Sequence, residues 1–182
     1  MSLLLTTLQE TKLYLKIDND AQDELLTALI ESLSSAMETY LGRFIIERNI
    51  TDEPHYLEQD SRFINLDFYP VTEIYEISED CEKTDLAKIK IDKQNGIIKK
   101  VYGRWGEAVL VSYKAGLAAD TAAVPKDIKL AVWNWIGAIM SKNDGSIKAE
   151  SLGDYSVTYN SEEFAMPPLC ESLLENYRRH NV

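Results

Sequence analysis

An α+β fold, mainly a helical bundle of about four helices carrying a small inserted β subdomain, is what the sequence predicts. Three observations predict it. Apolar residues recur at the 3.6-residue helical period towards both ends, short alternating runs fill the middle, and Gly or Pro marks each change. These place the helical domain at residues 1–42 and 117–182 and the inserted β subdomain at 43–116. A chain of 182 residues has room for one domain with an insertion. Surface scaling predicts that roughly 70% of the unfolded surface is buried, enough for a core without disulfides or metals.

The first helix is expected over 6–17, with Thr6 or Thr7 as cap and Glu10 completing a capping box from Thr7. Leu8, Leu13, Tyr14 and Ile17 form its apolar side, and Asp18-Asn19-Asp20 separates it from the next helix. The second, over 20–41, has the clearest pattern: Leu25, Leu26, Leu29, Ile30, Leu33, Met37, Tyr40 and Leu41, then Gly42 as a stop. Strands are expected at 43–50, 54–59, 62–66, 71–78, 87–92, 96–101 and 107–114. Asn95-Gly96 reads as a tight hairpin turn with positive φ at both positions.

Helix returns at Pro125 and runs to 142. Ile128, Val132, Trp135, Ile136 and Ile139 make one stripe, while Leu130, Trp133 and Gly137 make a second about 180° away at 100° per residue. A helix apolar on two sides is either central to a bundle or shared with another subunit, and the pattern leaves both open. Residues 146–160 are a long polar, Gly-containing loop with a short β-like piece at Tyr155-Ser156-Val157-Thr158-Tyr159. Pro167-Pro168 opens a last helix over 167–180, which ends on Arg178-Arg179-His180, cations that complement the helix dipole.

Net charge is −11, divided as −4, −4 and −3 over residues 1–50, 51–116 and 117–182. Read in thirds, the acidity is even and no basic block stands out, so a DNA sequence reader is not expected. An acidic wall past which DNA slides without sticking fits, as does plain solubility. No apolar run reaches the roughly 18 residues of a membrane span, and Met1 to Thr7 lacks the basic start of a signal peptide. Cys81 and Cys170 are far apart and are expected to be reduced thiols of a cytoplasmic product.

Catalytic signals are thin. His55 and His180 are dispersed, no phosphate loop, nucleophile elbow or HExxH motif occurs, and the carboxylates Asp18/Asp20 and Glu162/Glu163 read as caps and a solvated loop. Trp133 and Trp135 read as core rather than a ligand box. No catalytic residue, metal ligand or cofactor is therefore expected.

Three groups of residues nevertheless carry a resemblance. They are Leu13-Tyr14-Leu15-Lys16-Ile17-Asp18 with Asp23-Glu24-Leu25-Leu26, Leu29-Ile30 and Tyr40-Leu41-Gly42-Arg43; Leu66-Asp67-Phe68-Tyr69-Pro70-Val71 with Val111-Ser112-Tyr113-Lys114-Ala115-Gly116; and Val124-Pro125-Lys126-Asp127-Ile128-Lys129 with Glu150 to Val157. In this order the chain resembles the phage head–tail connector, or adaptor, family. The long β region at 43–116 departs from its shorter, nearly all-helical members. The resemblance implies a structural virion protein, not an enzyme. Such a subunit would form a ring homo-oligomer on the portal protein, extend the DNA channel, and offer a surface to a downstream neck or tail-completion protein. DNA would pass transiently and without sequence preference; no membrane is involved. The implied location is the virion neck, reached from the bacterial host cytoplasm during assembly.

Candidate contacts with a neighbour or the portal are Leu130, Trp133 and Gly137 on the third helix, and Ile147, Leu152, Tyr155, Val157 and Tyr159 in the loop. The alternatives are another phage neck or tail-completion protein, or a small enzyme with a surface carboxylate site.

Overall fold

The computed structural model describes residues 4–57, 61–143 and 165–178. The chain divides into two compact units, one of residues 1–41 with 125–182 and one of residues 42–124.

In the first unit, α1 spans Leu8–Leu15, α2 Asp23–Leu41, α3 Lys126–Asn143 and α4 Pro168–Leu174. Helix α1 begins at the expected capping box: Thr7 Oγ1 accepts from Glu10 N–H at 3.2 Å, and Glu10 Oε2 accepts from Thr7 N–H at 3.0 Å. It stops when Lys16 turns left-handed, at φ 58°. Helix α2 buries Leu26, Ile30, Leu33, Met37 and Leu41, the 3.6-residue stripe, and Gly42 with φ 65° ends it. Helix α3 buries Ile128, Val132, Trp135, Ile136 and Ile139, and packs on α1, α2 and α4. Each of its fully buried aliphatic side chains contributes roughly 1.5–3 kcal/mol. Helix α4 is shorter than expected. It breaks after Leu174 into one 3-10 turn at Glu175–Tyr177, with Cys170 and Leu174 its buried anchors.

In the second unit the strands are β1 Arg48–Tyr56, β2 Phe63–Asn65, β3 Val71–Glu79, β4 Glu82–Lys83, β5 Ile89–Asp92, β6 Ile97–Lys100 and β7 Ala108–Ala115. They build an antiparallel sheet ordered β1-β7-β3-β4 and a second ordered β2-β6-β5. One core joins them, with Ile64, Ile89 and Ile98 from the small sheet and Val71, Ile77, Val109, Val111 and Tyr113 from the large one.

These sheets correct the expectation of a mainly helical bundle with a small β insert. Among the described residues about 38% are helical and 28% are in strands. The physical reason is that β1, β3 and β7 are eight or nine residues long. Strands of that length span a full sheet with its own buried side, while α1 and α4 have only 8 and 7 residues.

Two local differences have clear causes. The two strands expected at 43–50 and 54–59 are one strand, β1, bent by a bulge between Ile50 and Glu53 where Asp52 takes φ 52°. Pro54 sits beyond that bulge on this edge strand. The β5–β6 loop is the four residues 93–96 rather than a two-residue turn. Only Gly96 has positive φ, and the Asp92 carboxylate holds the loop by accepting from Asn95 N–H and Nδ2 at 3.2 and 2.8 Å.

Candidate subunit interface

Among the described residues no three His, Cys, Asp or Glu gather to hold a metal ion, and no helix is long and apolar enough to cross a membrane. What the two units offer is surface, and in each the exposed groups are held in place by a buried polar anchor.

In the helical unit the anchor joins α1 to α3. Thr6 is fully buried; its Oγ1 accepts from Trp133 Nε1 at 2.8 Å and donates to Glu10 Oε2 at 2.9 Å. The other oxygen of Glu10 accepts from Lys129 Nζ at 2.7 Å, and Lys129 is only 5% exposed. Burial tends to raise the Glu10 pKa, but Lys129, the Thr7 N–H and the Thr6 hydroxyl outweigh it and lower it to about 2. Above this relay Tyr14 stacks on Trp133, ring centres 5.2 Å apart, and Leu15 reaches the site of Gly137, where an added Cβ would stand 3.3 Å from its methyl. The second stripe of α3 thus meets α1: Trp133 and Gly137 touch it, and Leu130 is half-buried. Helix α1 carries the apolar surface outward, with Leu13 82% and Tyr14 40% exposed.

In the β unit the anchor is Glu53, buried on β1. Its Oε2 accepts from the Tyr113 hydroxyl on β7, and its Oε1 accepts from Asp67 N–H at 3.0 Å. His55 Nε2 lies 2.8 Å from the same Oε1, at ion-pair distance but without the alignment of a hydrogen bond. Burial raises the Glu53 pKa, and contacts with His55, Tyr113 and Asp67 N–H more than offset this, leaving it below the ordinary carboxylate value. Burial and the Glu53 carboxylate push the Tyr113 phenol upward, so it stays a donor. Tyr113 also accepts from Phe68 N–H at 3.1 Å, Phe68 stacks on Phe44 at 4.1 Å, and Gly116 donates to Pro70 C=O at 3.0 Å. A Cβ on Gly116 would stand 2.5 Å from the Glu47 backbone, so the close approach there requires glycine. The segments Leu66 to Val71 and Val111 to Gly116, far apart in the chain, therefore meet at one buried knot.

Of the eight candidate contact residues, Trp133 and Gly137 meet α1, and Leu130 is half-buried on the same helix. Ile147, Leu152, Tyr155, Val157 and Tyr159, with the β-like piece at 155–159, lie outside the described residues, as does His180. Glu53, Thr6 and Lys129 were missed. A charged residue in a polar-looking strand, or a Lys in the first turn of a helix, ordinarily signals solvent. The only available hint was the completeness of the Thr7–Glu10 box. Both cysteines are free: Cys81 is exposed, and Cys170 is buried with its Sγ 3.2 Å from Ala131 C=O.

The family model described as head completion protein matches residues 4–180. No curated protein sequence matches the chain. Among solved structures it is similar to a chain in the neck of an empty gene transfer agent (GTA) particle computed with C6 symmetry. That match has 16% identity and a TM-score of 0.64 over 98% of this chain and 91% of that one. It is also similar to a chain in the neck of the native GTA particle computed with C12 symmetry, at 18% identity and TM-score 0.57 over 96% and 89%. A third likeness, to a chain in the virion of the native particle, has 16% identity and TM-score 0.61 over 98% and 91%. At these identities the likeness is one of fold.

Proposed function

Because the chain belongs to the head completion protein family, and so is a structural protein of the phage head–tail connection, we propose that it works as one subunit of a ring in the virion neck. The ring docks on the portal protein, extends the DNA channel and presents a surface to the next neck or tail-completion protein. The family match over nearly the whole chain carries this reading. The C6 and C12 symmetry of the GTA necks that share its fold supports it.

A ring needs a heterologous interface, one surface of a subunit meeting a different surface of its neighbour. The outer side of α1, Leu13 and Tyr14, backed by the α3 stripe of Leu130, Trp133 and Gly137, supplies one such surface. The segment 146–160, with Ile147, Leu152, Tyr155, Val157 and Tyr159, supplies the contact with the portal. Its apolar groups gain burial on docking at about 25 cal/mol per Å², less the cost of ordering them.

Two measurements test this. The native mass of the purified chain, alone and mixed with portal-bearing heads, is expected to show a many-subunit species in at least one case; a monomer in both overturns the ring. Deleting 147–158 is expected to leave the far-UV CD spectrum of the helices intact while heads and tails fail to join. Normal joining by the deletion variant removes the loop from the mechanism.

A further inference from the structure

The β unit places two like-charge pairs directly across strands, one of each sign. On β3–β4, Glu79 stands opposite Glu82; on β5–β6, Lys90 stands opposite Lys99. Like charges so placed work against the sheet that carries them. They are also the local peaks of a wider separation. Residues 73–85 hold six Asp/Glu and one Lys, net −5, while residues 86–104 hold six Lys/Arg and one Asp, net +5.

The two surfaces differ in form. Register puts Phe63, Lys99 and Lys90 side by side on the outer face of the small sheet, with Ile64, Ile98 and Ile91 turned to the other side. Lys90 and Lys99 are exposed, no carboxylate among the described residues pairs with either, and the Lys99 ammonium lies 5.1 Å from the centre of the half-exposed Phe63 ring. The acidic surface is instead concave, a cleft of about 430 Å³ whose lining includes Glu79, Asp80, Glu82, Asp85 and Lys88. Two further lysines line it but are already used: Lys100 by Glu79 at 2.6 Å and Lys83 by Glu76 at 2.8 Å. Asp80 and Asp85 each accept one backbone N–H, from Ala108 at 3.2 Å and from Ala87 at 3.0 Å, so the lining carries four carboxylates to three lysines, one net negative charge, with Glu82 beside Lys88.

We infer that the lysine face of one subunit docks in the acidic cleft of the next copy, making a charge-matched, head-to-tail contact between β units. The inference rests on the ring proposed above and gives it a second, electrostatic contact. A second copy is the occupant the charges favour. It brings a cleft with an excess of carboxylates, and the sheet face carries Asp92 beside only two lysines, too few for the clustered cations that tight phosphate-backbone binding needs. A protruding face and a concave one are also the two unlike surfaces that a heterologous interface joins.

Lys90→Glu separates an interface role from a structural one. It turns the repulsive cross-strand pair into an attractive one, so the isolated subunit is expected to melt at a higher temperature. The same change places a carboxylate against the neighbour's cleft, so ring formation is expected to weaken by about tenfold or more. Glu82→Lys is expected to repeat both effects from the other side. Wild-type assembly should weaken as salt rises, because exposed charges are screened.

Concentration-dependent native mass, read alone and on portal-bearing heads, and binding of a labelled DNA duplex decide the matter. Rings of either variant as tight as wild type overturn the inference. Loss of duplex binding with rings intact also overturns it, assigning the lysines to nucleic acid. A wild-type chain that is monomeric in both settings overturns the ring and this contact together.

Discussion

The helical and β units solve the same problem, fixing elements far apart in sequence, by opposite means. In the helical unit the joining pair is exposed on one side only: Glu10, its side chain 38% exposed, clamps the buried Lys129. In the β unit the joining group is a carboxylate at the centre, with Glu53 6% exposed at its side chain and ringed by Tyr113, Asp67 N–H and His55. Water can take the place of Lys129 at the part-exposed Glu10, but it cannot reach the groups around Glu53 so readily. A buried charge deprived of its partners, or partners deprived of their charge, costs far more than the same loss at a rim.

That contrast breaks most visibly at Glu53. Glu53→Ala leaves the Tyr113 hydroxyl and Asp67 N–H without their common acceptor and removes the carboxylate beside His55, and is expected to cost about 3–5 kcal/mol. Hydrogen exchange should locate the loss in β1 and β7 while α3 keeps its protection; equal loss in both would mean the two units unfold as one. Lys129→Ala, its helical counterpart, is expected to cost about 1–2 kcal/mol by urea unfolding, since Glu10 regains water. A cost matching that of Glu53→Ala would erase the distinction between rim and centre. Thr7→Ala removes only the cap of α1 and is expected to cost about 1 kcal/mol.

A further effect is one of pH. Folding lowers the pKa of both Glu10 and Glu53, so each contributes stability above its unfolded value, about 4.5, and loses it as pH falls towards the folded value. For Glu10 that window runs from about 4.5 down to about 2. Glu10→Gln should flatten the pH dependence of helical-unit unfolding in that range, and leave the β unit's acid response unchanged.

The same contrast explains what was legible in the sequence. Periodicity reports which side of an element meets apolar surroundings, so the α2 stripe from Leu26 to Leu41 and the alternation of Val109, Val111 and Tyr113 could be read directly. It says nothing about which elements meet. Leu13, taken as part of the apolar side of α1, is almost fully exposed because α3 approaches at Tyr14 and Leu15 instead. Asp52 and Pro54 look like a turn and suggest two strands, whereas in the sheet Asp52 lies in a bulge and Pro54 continues the strand beyond it. Averaging hides the charge pattern: the stretch 51–116 sums to −4 because adjoining segments of −5 and +5 cancel within it. The loop contacts at 147–159 stay where the sequence put them, as proposals. The resemblance motifs fared better, because Tyr113 and Gly116 meet Phe68 and Pro70 in one knot that constrains both segments.

The borders of the large sheet have a consequence for how copies of the chain can meet. A strand with a free row of backbone donors and acceptors is a template on which other chains add, without end, into fibres. Here β1 is interrupted by the Asp52 bulge and by Pro54, which has no N–H to offer, and the opposite border, β4, is two residues long. Neither presents an unbroken row. Open-ended strand addition is therefore disfavoured at β1 and at β4, which leaves side-chain contacts to set how copies meet there.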